Sequence, residues 1–273
     1  MAKKVKNKVL EFLFWAAVVY VAVCTSLFLI QRTFMYFPSK VMQSRAVFNA
    51  QDMDVVSFNT EDGLELAAWY KAPETGKPII VLFHGNASHM GISALKVRSF
   101  LDAGYGAFLP AYRGYAGNKG KPTEQGLYLD GRAAISWLLE NGYEQSDIII
   151  YGESLGTGVS VELASKYYKD VRGVILESPY TSFIDLAKRT YFWLPLNLVM
   201  RDRYESIDKI ADIQAPIFIV RGAKDTLVPP EMGQRLFDAA KAEKHIKTLE
   251  NSGHNDMHQN GVDQYIMHFV TGL

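Results

Sequence analysis

Gly152-Glu153-Ser154-Leu155-Gly156 is the stretch that decides the fold. Upstream, Ile148-Ile149-Ile150-Tyr151 is a short, β-branched apolar run that reads as a buried strand. Downstream, Thr157-Gly158-Val159-Ser160-Val161-Glu162-Leu163-Ala164 reads as the start of a helix with small residues on one side. A serine in Gly-x-Ser-x-Gly between strand and helix occupies a strained turn, the nucleophile elbow, so the residues two positions away must be small. Its hydroxyl then stands clear of the sheet at a helix N-terminus, whose dipole favours developing negative charge. The bare pentapeptide recurs by chance in many chains. The flanking strand and helix give it meaning.

Outward from the elbow, the chain alternates strands and helices. Val55 to Thr60 and Leu64 to Lys71, joined by Glu61-Asp62-Gly63, predict a β-hairpin. Ile79-Ile80-Val81-Leu82-Phe83 is a continuous apolar run, as expected of a strand buried on both faces. Ala107 to Tyr112 predicts another strand, with Pro110 marking a bulge or an edge. Further strands are expected at Val174 to Leu176, Pro216 to Val220 and Ile246 to Leu249. Helices are expected over Ile92 to Asp102, Tyr128 to Glu140, 230–240 and 262–271. The pattern implies an α/β fold, a mainly parallel doubly wound sheet with an antiparallel N-terminal hairpin.

In such a sheet, working residues gather past the carboxyl ends of the strands. His84-Gly85-Asn86-Ala87 follows Phe83, Ser154 follows Tyr151, Asp225 follows Ile217 to Val220, and His254 follows Lys247 to Leu249. The chain order Ser, Asp, His differs from that of the chymotrypsin and subtilisin folds. With these residues in view, the chain from about Phe34 to its end resembles the α/β-hydrolase-fold serine hydrolases, most of all their N-terminally anchored ABHD-type and Bem46-like branch. The resemblance rests on Met35-Tyr36-Phe37-Pro38, Leu82 to Ala87, Tyr112-Arg113-Gly114-Tyr115, Gly152 to Gly156, Glu177-Ser178-Pro179-Tyr180, Arg201-Asp202-Arg203-Tyr204, Gly222 to Pro229 and Gly253-His254. Tyr115-Ala116-Gly117 departs from the two glycines usual in that loop.

The resemblance implies roles. Ser154 would be the nucleophile and His254 the base that takes its proton. Asp225 would hold the imidazole tautomer. The backbone N–H groups of Asn86 and Leu155 would form the oxyanion hole. Plainer readings compete. Asp225 also fits a loop or helix-capping aspartate, with Glu177 as rival acid, although Glu177-Ser178-Pro179 looks like a structural corner. His258 rivals His254 and should lie in the final helix. His84 is expected to shape the oxyanion loop, and Arg113 to hold a loop rather than bind an anion. His89, His245 and His268 read as surface or structural histidines.

The first 32 residues are different material. Lys3, Lys4, Lys6 and Lys8 precede nineteen uncharged residues from Phe12 to Ile30, closed by Arg32. At about 1.5 Å per residue this run spans a bilayer core. It is too long for a secretory signal and lacks a small-x-small cleavage site. Residues 1–32 are therefore expected to form a basic tail and one transmembrane signal anchor, with 33–273 as the hydrolase domain. The lysines favour a cytoplasmic N-terminus and a periplasmic, extracellular or lumenal hydrolase domain. Balanced charge (29 basic against 29 acidic side chains) gives no reason to expect nucleic acid as a partner. One cysteine, Cys24, excludes an internal disulfide, and no Cys/His spacing suggests a metal site.

A short cap is expected at about 182–213, centred on Tyr191-Phe192-Trp193-Leu194-Pro195. Tyr180, Phe192, Trp193 and Leu194 would line an apolar pocket over Ser154. A cap packed simply on the sheet is the alternative. Taken together, these features point to a membrane-anchored serine hydrolase of esters or thioesters with an apolar acyl chain, needing no cofactor. Amide or peptide hydrolysis by the same residues stays open, as does a non-catalytic binding protein on the same fold.

Overall fold

The computed structural model describes residues 2–273. One eight-stranded sheet organises the chain: β1 (Asp54–Asn59), β2 (Glu65–Lys71), β3 (Ile79–Phe83), β4 (Gly106–Pro110), β5 (Ile148–Glu153), β6 (Gly173–Glu177), β7 (Ile217–Gly222) and β8 (Lys244–Leu249). The spatial order is β1-β2-β4-β3-β5-β6-β7-β8. The pairings β1 with β2 and β2 with β4 are antiparallel, and all others are parallel. A mainly parallel, doubly wound α/β sheet with an antiparallel hairpin at one edge results.

The helices are α1 (Ala2–Met35), α2 (Met90–Asp102), α3 (Glu124–Glu140), α4 (Leu155–Lys166), α5 (Phe183–Lys188), α6 (Leu196–Val199), α7 (Pro230–Ala239) and α8 (Val262–Gly272). Successive strand residues point to opposite faces, so each central strand feeds two cores. Ile79, Val81, Phe83, Ile148 and Ile150 pack with Leu127 of α3, Val159 of α4 and Leu236 of α7. Ile80, Leu82, Ile149 and Tyr151 pack with Val97 of α2 and Ile266 of α8. Burial on both faces is why these strands read as unbroken apolar runs.

Pro110 corrects one expectation. It lies on neither an edge nor a bulge: β4 is an interior strand. Pro110 is its last residue, paired with Ala68 of β2, while the ladder to β3 stops at Phe108. A strand end past its parallel neighbour's ladder tolerates the missing N–H.

Helix α1 is a single element of 34 residues that continues three positions past Arg32. Residues 3–35 are long and apolar enough to cross a membrane, and that stretch is not buried inside the protein. Its last turn is fastened to the segment between α6 and β7. Arg32 donates from two nitrogens to Asp202, at 2.7 and 2.8 Å. Tyr36, just beyond, is buried and donates to the same carboxylate at 3.2 Å.

Candidate active site

The site lies where the sheet order reverses. From β3 the chain crosses one way to β4 and then returns to β5 on the other side. Loops leaving β3 and β5 diverge there, which opens a crevice at the carboxyl end of the sheet.

Ser154 occupies this crevice between β5 and α4 with φ +48° and ψ −112°. A non-glycine residue in that region is strained and persists only because its surroundings hold it. Its N–H donates to the Glu177 carbonyl (2.9 Å), and its own carbonyl accepts from the Thr157 hydroxyl (2.7 Å). The flanking glycines are required by space. A Cβ on Gly156 would fall on the Phe83 carbonyl, and one on Gly152 would come 2.5 Å from Ser160 Oγ.

His254 Nε2 lies 3.0 Å from Ser154 Oγ, and its Nδ1 lies 2.7 Å from Asp225 Oδ2. The Asp225 carboxylate is almost fully buried. Its other oxygen accepts from the N–H groups of Leu227 (2.9 Å) and Val228 (2.8 Å). With a carboxylate on Nδ1, the ring carries its proton there and presents a bare Nε2 to the serine. The loops after β7 and β8 must touch for this to happen. Gly222 permits it, since a Cβ there would strike the Gly253 and Ser252 carbonyls. A hydroxyl, an imidazole and a buried carboxylate so linked can move a proton away from an attacking oxygen and return it to a leaving group.

The loop after β3 brings Asn86 beside Ser154, both lining one cavity. The Asn86 side chain is engaged elsewhere. It donates to the Met35 carbonyl (2.6 Å) and accepts from the Phe37 N–H (3.0 Å) and the Tyr115 hydroxyl (2.9 Å). His84 is fully buried, donates from Nδ1 to the Gly85 carbonyl (2.8 Å), and burial pushes its pKa down to about 4. It stays neutral and shapes the loop.

Behind the elbow lies a charged cluster. Lys96 of α2 reaches Glu177 (2.7 Å) and Glu153 (3.0 Å). Burial alone would raise the Glu177 carboxyl, but Lys96 and His258 outweigh it and hold it below the usual carboxylate range. Tyr151 also donates to Glu177. Glu153 further accepts from the Gly85 N–H at 3.3 Å. His258 corrects an expectation: it lies in the turn before α8, not within it. It is bound to Asp263 (2.6 Å) and Glu177 (3.3 Å), away from Ser154. Glu177 thus serves the framework, as its corner position suggested. Arg113 holds loops, bridging Asp62 of the hairpin turn and buried Asp130. Among the described residues no cluster of His, Cys, Asp and Glu is arranged to hold a metal ion.

A cavity of about 610 Å³ opens from Ser154 and Leu155 beneath the cap. Tyr180 and Leu194 line it, together with Phe183 and Leu186. Phe192 and Trp193 do not. A turn closes from the Leu194 N–H to the Tyr191 carbonyl (3.0 Å), so 191 and 194 face the cavity while 192 and 193 project from the tip. Missed entirely from the sequence was the opposite wall, formed by Leu27, Gln31, Phe34 and Met35 of α1. The one signal was Gln31, a polar residue at the end of an apolar run.

Comparison with known proteins agrees with this architecture. The serine aminopeptidase (S33) hydrolase family matches residues 74–202. Human alpha/beta hydrolase domain-containing protein 17B is 33% identical over 216 residues, covering 76% of this chain and 70% of that protein. Protein bem46 of Schizosaccharomyces pombe is 30% identical over 212 residues, covering 74% and 70%. Among solved structures, an esterase of Pyrococcus furiosus superposes with a TM-score of 0.68 at 19% identity, over 86% of this chain and 97% of that one.

Proposed function

This chain belongs to the ABHD- and Bem46-like branch of the α/β hydrolases, and from that premise we propose that it is a membrane-anchored serine hydrolase of carboxylic esters or thioesters with an apolar acyl chain. The observation that carries the reading is the Ser154–His254–Asp225 hydrogen-bonded chain at the floor of an apolar cavity. Ser154 Oγ attacks the acyl carbonyl while His254 Nε2 takes its proton. Asp225 fixes the tautomer and stabilises the imidazolium. The tetrahedral oxyanion is held by the backbone N–H groups of Leu155, the first residue of α4, and Asn86. One such donor is worth roughly 3 kcal/mol in a transition state. His254 then protonates the leaving alcohol or thiol, and water resolves the acyl-enzyme by the same route. This chemistry calls for no cofactor.

The matching family's name raises peptide hydrolysis as a second reading. A peptidase that takes a free N-terminus needs an acceptor for the ammonium group. Among the described residues the cavity lining holds no carboxylate, and Arg189 is its one charged side chain. That lining favours an uncharged acyl chain. Residues 1–32 act as tail and anchor in this reading, with the N-terminus cytoplasmic and the hydrolase domain across the membrane. A reporter active only in the cytoplasm, fused after Leu273, tests the orientation: it should stay silent.

A fluorophosphonate probe applied to the full chain and to Ser154→Ala tests the chemistry, with circular dichroism checking both folds. Labelling of the parent alone is expected. A folded parent that does not label overturns the reading in favour of a binding protein.

A further inference from the structure

The loop between α5 and α6 runs alongside α1 rather than away from it. The Tyr20 hydroxyl donates to the Trp193 carbonyl at 2.9 Å. Eleven residues further along α1, Gln31 donates to the Val199 carbonyl (2.8 Å) and accepts from the Arg201 N–H (2.8 Å). At 1.5 Å rise per residue, these two fixings lie about 16 Å apart along the helix axis. The cap tip therefore sits at the level of Tyr20, the middle of the uncharged run 12–30.

That register leaves little choice of depth. A bilayer's hydrocarbon core is about 30 Å thick. Were the membrane to end below Tyr20, only residues 9–19 would remain to cross it, about 16 Å of helix and with Glu11 among them. The cap tip must share the apolar zone with α1. Its composition suits this. Residues 190–200 carry no charge, and Lys188, Arg189, Arg201 and Arg203 flank them. Phe192 and Leu198 are 80% and 81% exposed, which is costly in water and favourable in lipid. The Trp193 carbonyl of the loop and the Val199 carbonyl at the end of α6 are satisfied by Tyr20 and Gln31, which lowers their cost in an apolar surrounding.

Resting on the hydrolase reading above, we propose that the cap is seated in the leaflet on the hydrolase side, and that the substrate is an acyl lipid of that leaflet which reaches Ser154 laterally, between α1 and the cap. The cavity's walls support the route. It extends from Ser154 to Leu27, three residues inside the apolar run, with α1 on one side and Tyr191, Leu194 and Val199 of the cap on the other. An acyl chain entering there runs along a lining that is mostly apolar, and its ester reaches the serine at the inner end.

The test uses the full chain in phosphatidylcholine vesicles. In a Cys24→Ser background, Phe192→Cys carries an environment-sensitive nitrobenzoxadiazole label. Nitroxide placed mid-chain on the lipid should quench it at least twofold more than nitroxide on the headgroup. Quenching by aqueous iodide instead overturns the seating. In the second arm, Phe192→Asp with Leu198→Asp should lower hydrolysis of a vesicle-embedded monoacylglycerol at least tenfold and leave p-nitrophenyl acetate hydrolysis unchanged, which also certifies the fold. Equal loss on both esters, or on neither, overturns lateral entry. A parent inactive on both overturns the hydrolase reading itself, while the quenching still decides the seating.

Discussion

The Asn86 side-chain amide donates to the Met35 carbonyl at 2.6 Å, tying the loop after β3 to the last residue of α1. The same side chain accepts from the Phe37 N–H and the Tyr115 hydroxyl. If the Asn86 backbone N–H serves the oxyanion, its aim depends on a fastening to α1. Asn86→Ala keeps the N–H and removes three hydrogen bonds, each worth about 1 kcal/mol net. We expect kcat to fall roughly tenfold with KM little changed, because the oxyanion forms only in the transition state. An unchanged kcat on a soluble ester would separate the tether from the chemistry.

Arg32 and Asp202 fasten the same junction from the other side. The Asp202 carboxylate is 3% exposed and Arg32 33% exposed. Removing the guanidinium strands a buried charge, which costs more than the pair itself is worth. Arg32→Ala should destabilise by about 2–3 kcal/mol, at the low end for such pairs because Arg32 is partly solvated. Asp202→Asn in the same background should recover most of the loss. Thermal unfolding in detergent of both single variants and the double variant measures this, and an additive double variant would contradict it.

At the elbow the demand is steric. A Cβ on Gly156 would lie 1.9 Å from the Phe83 carbonyl oxygen of the neighbouring strand. Either β3 moves from β5 or α4 shifts its first turn, and both displace Ser154. Gly156→Ala should abolish fluorophosphonate labelling and cost about 3 kcal/mol or more of stability. Labelling at the parent rate would show that the elbow has slack.

These three sites differ in how far the sequence discloses them. The central strands were legible because burial on both faces leaves an unbroken apolar run, as in Ile79 to Phe83. The Ser, Asp and His positions were legible because each follows such a run at the carboxyl end. Gly156 was legible from its spacing to Ser154. The Arg32–Asp202 pair was not: 170 residues separate its members, and nothing local marks an aspartate as buried. The side-chain role of Asn86 was hidden because a backbone role already accounted for the residue. Phe192 and Trp193 went astray for a different reason. Aromatic content suggests a pocket, but the turn from Tyr191 to Leu194 decides which side chains face it. Likewise, α1 read as a separate anchor, and only tertiary contact reveals it as a cavity wall.

His258 supplies a pH dependence of stability distinct from catalysis. It faces Glu177, Asp263 and Tyr151, with Lys96 on the far side of Glu177. Burial alone would lower its pKa, but the charge of Glu177 and the bond to Asp263 outweigh that and raise it from 6.5 to about 9. The folded value lies above the unfolded one. The imidazolium therefore stabilises the folded chain fully below pH 6.5, and that contribution is lost as the pH rises through about 9. Its size is about 3 kcal/mol at most, or roughly 5–10 °C in Tm for a domain of this length. The parent's Tm should fall over this interval. His258→Gln, which keeps a hydrogen-bonding side chain but cannot gain the proton, should start lower at pH 6.5 and stay nearly flat to pH 9. The two curves should converge at the alkaline end, since Lys96 still compensates Glu177 in both. Parallel curves would mean that the titrating group lies elsewhere.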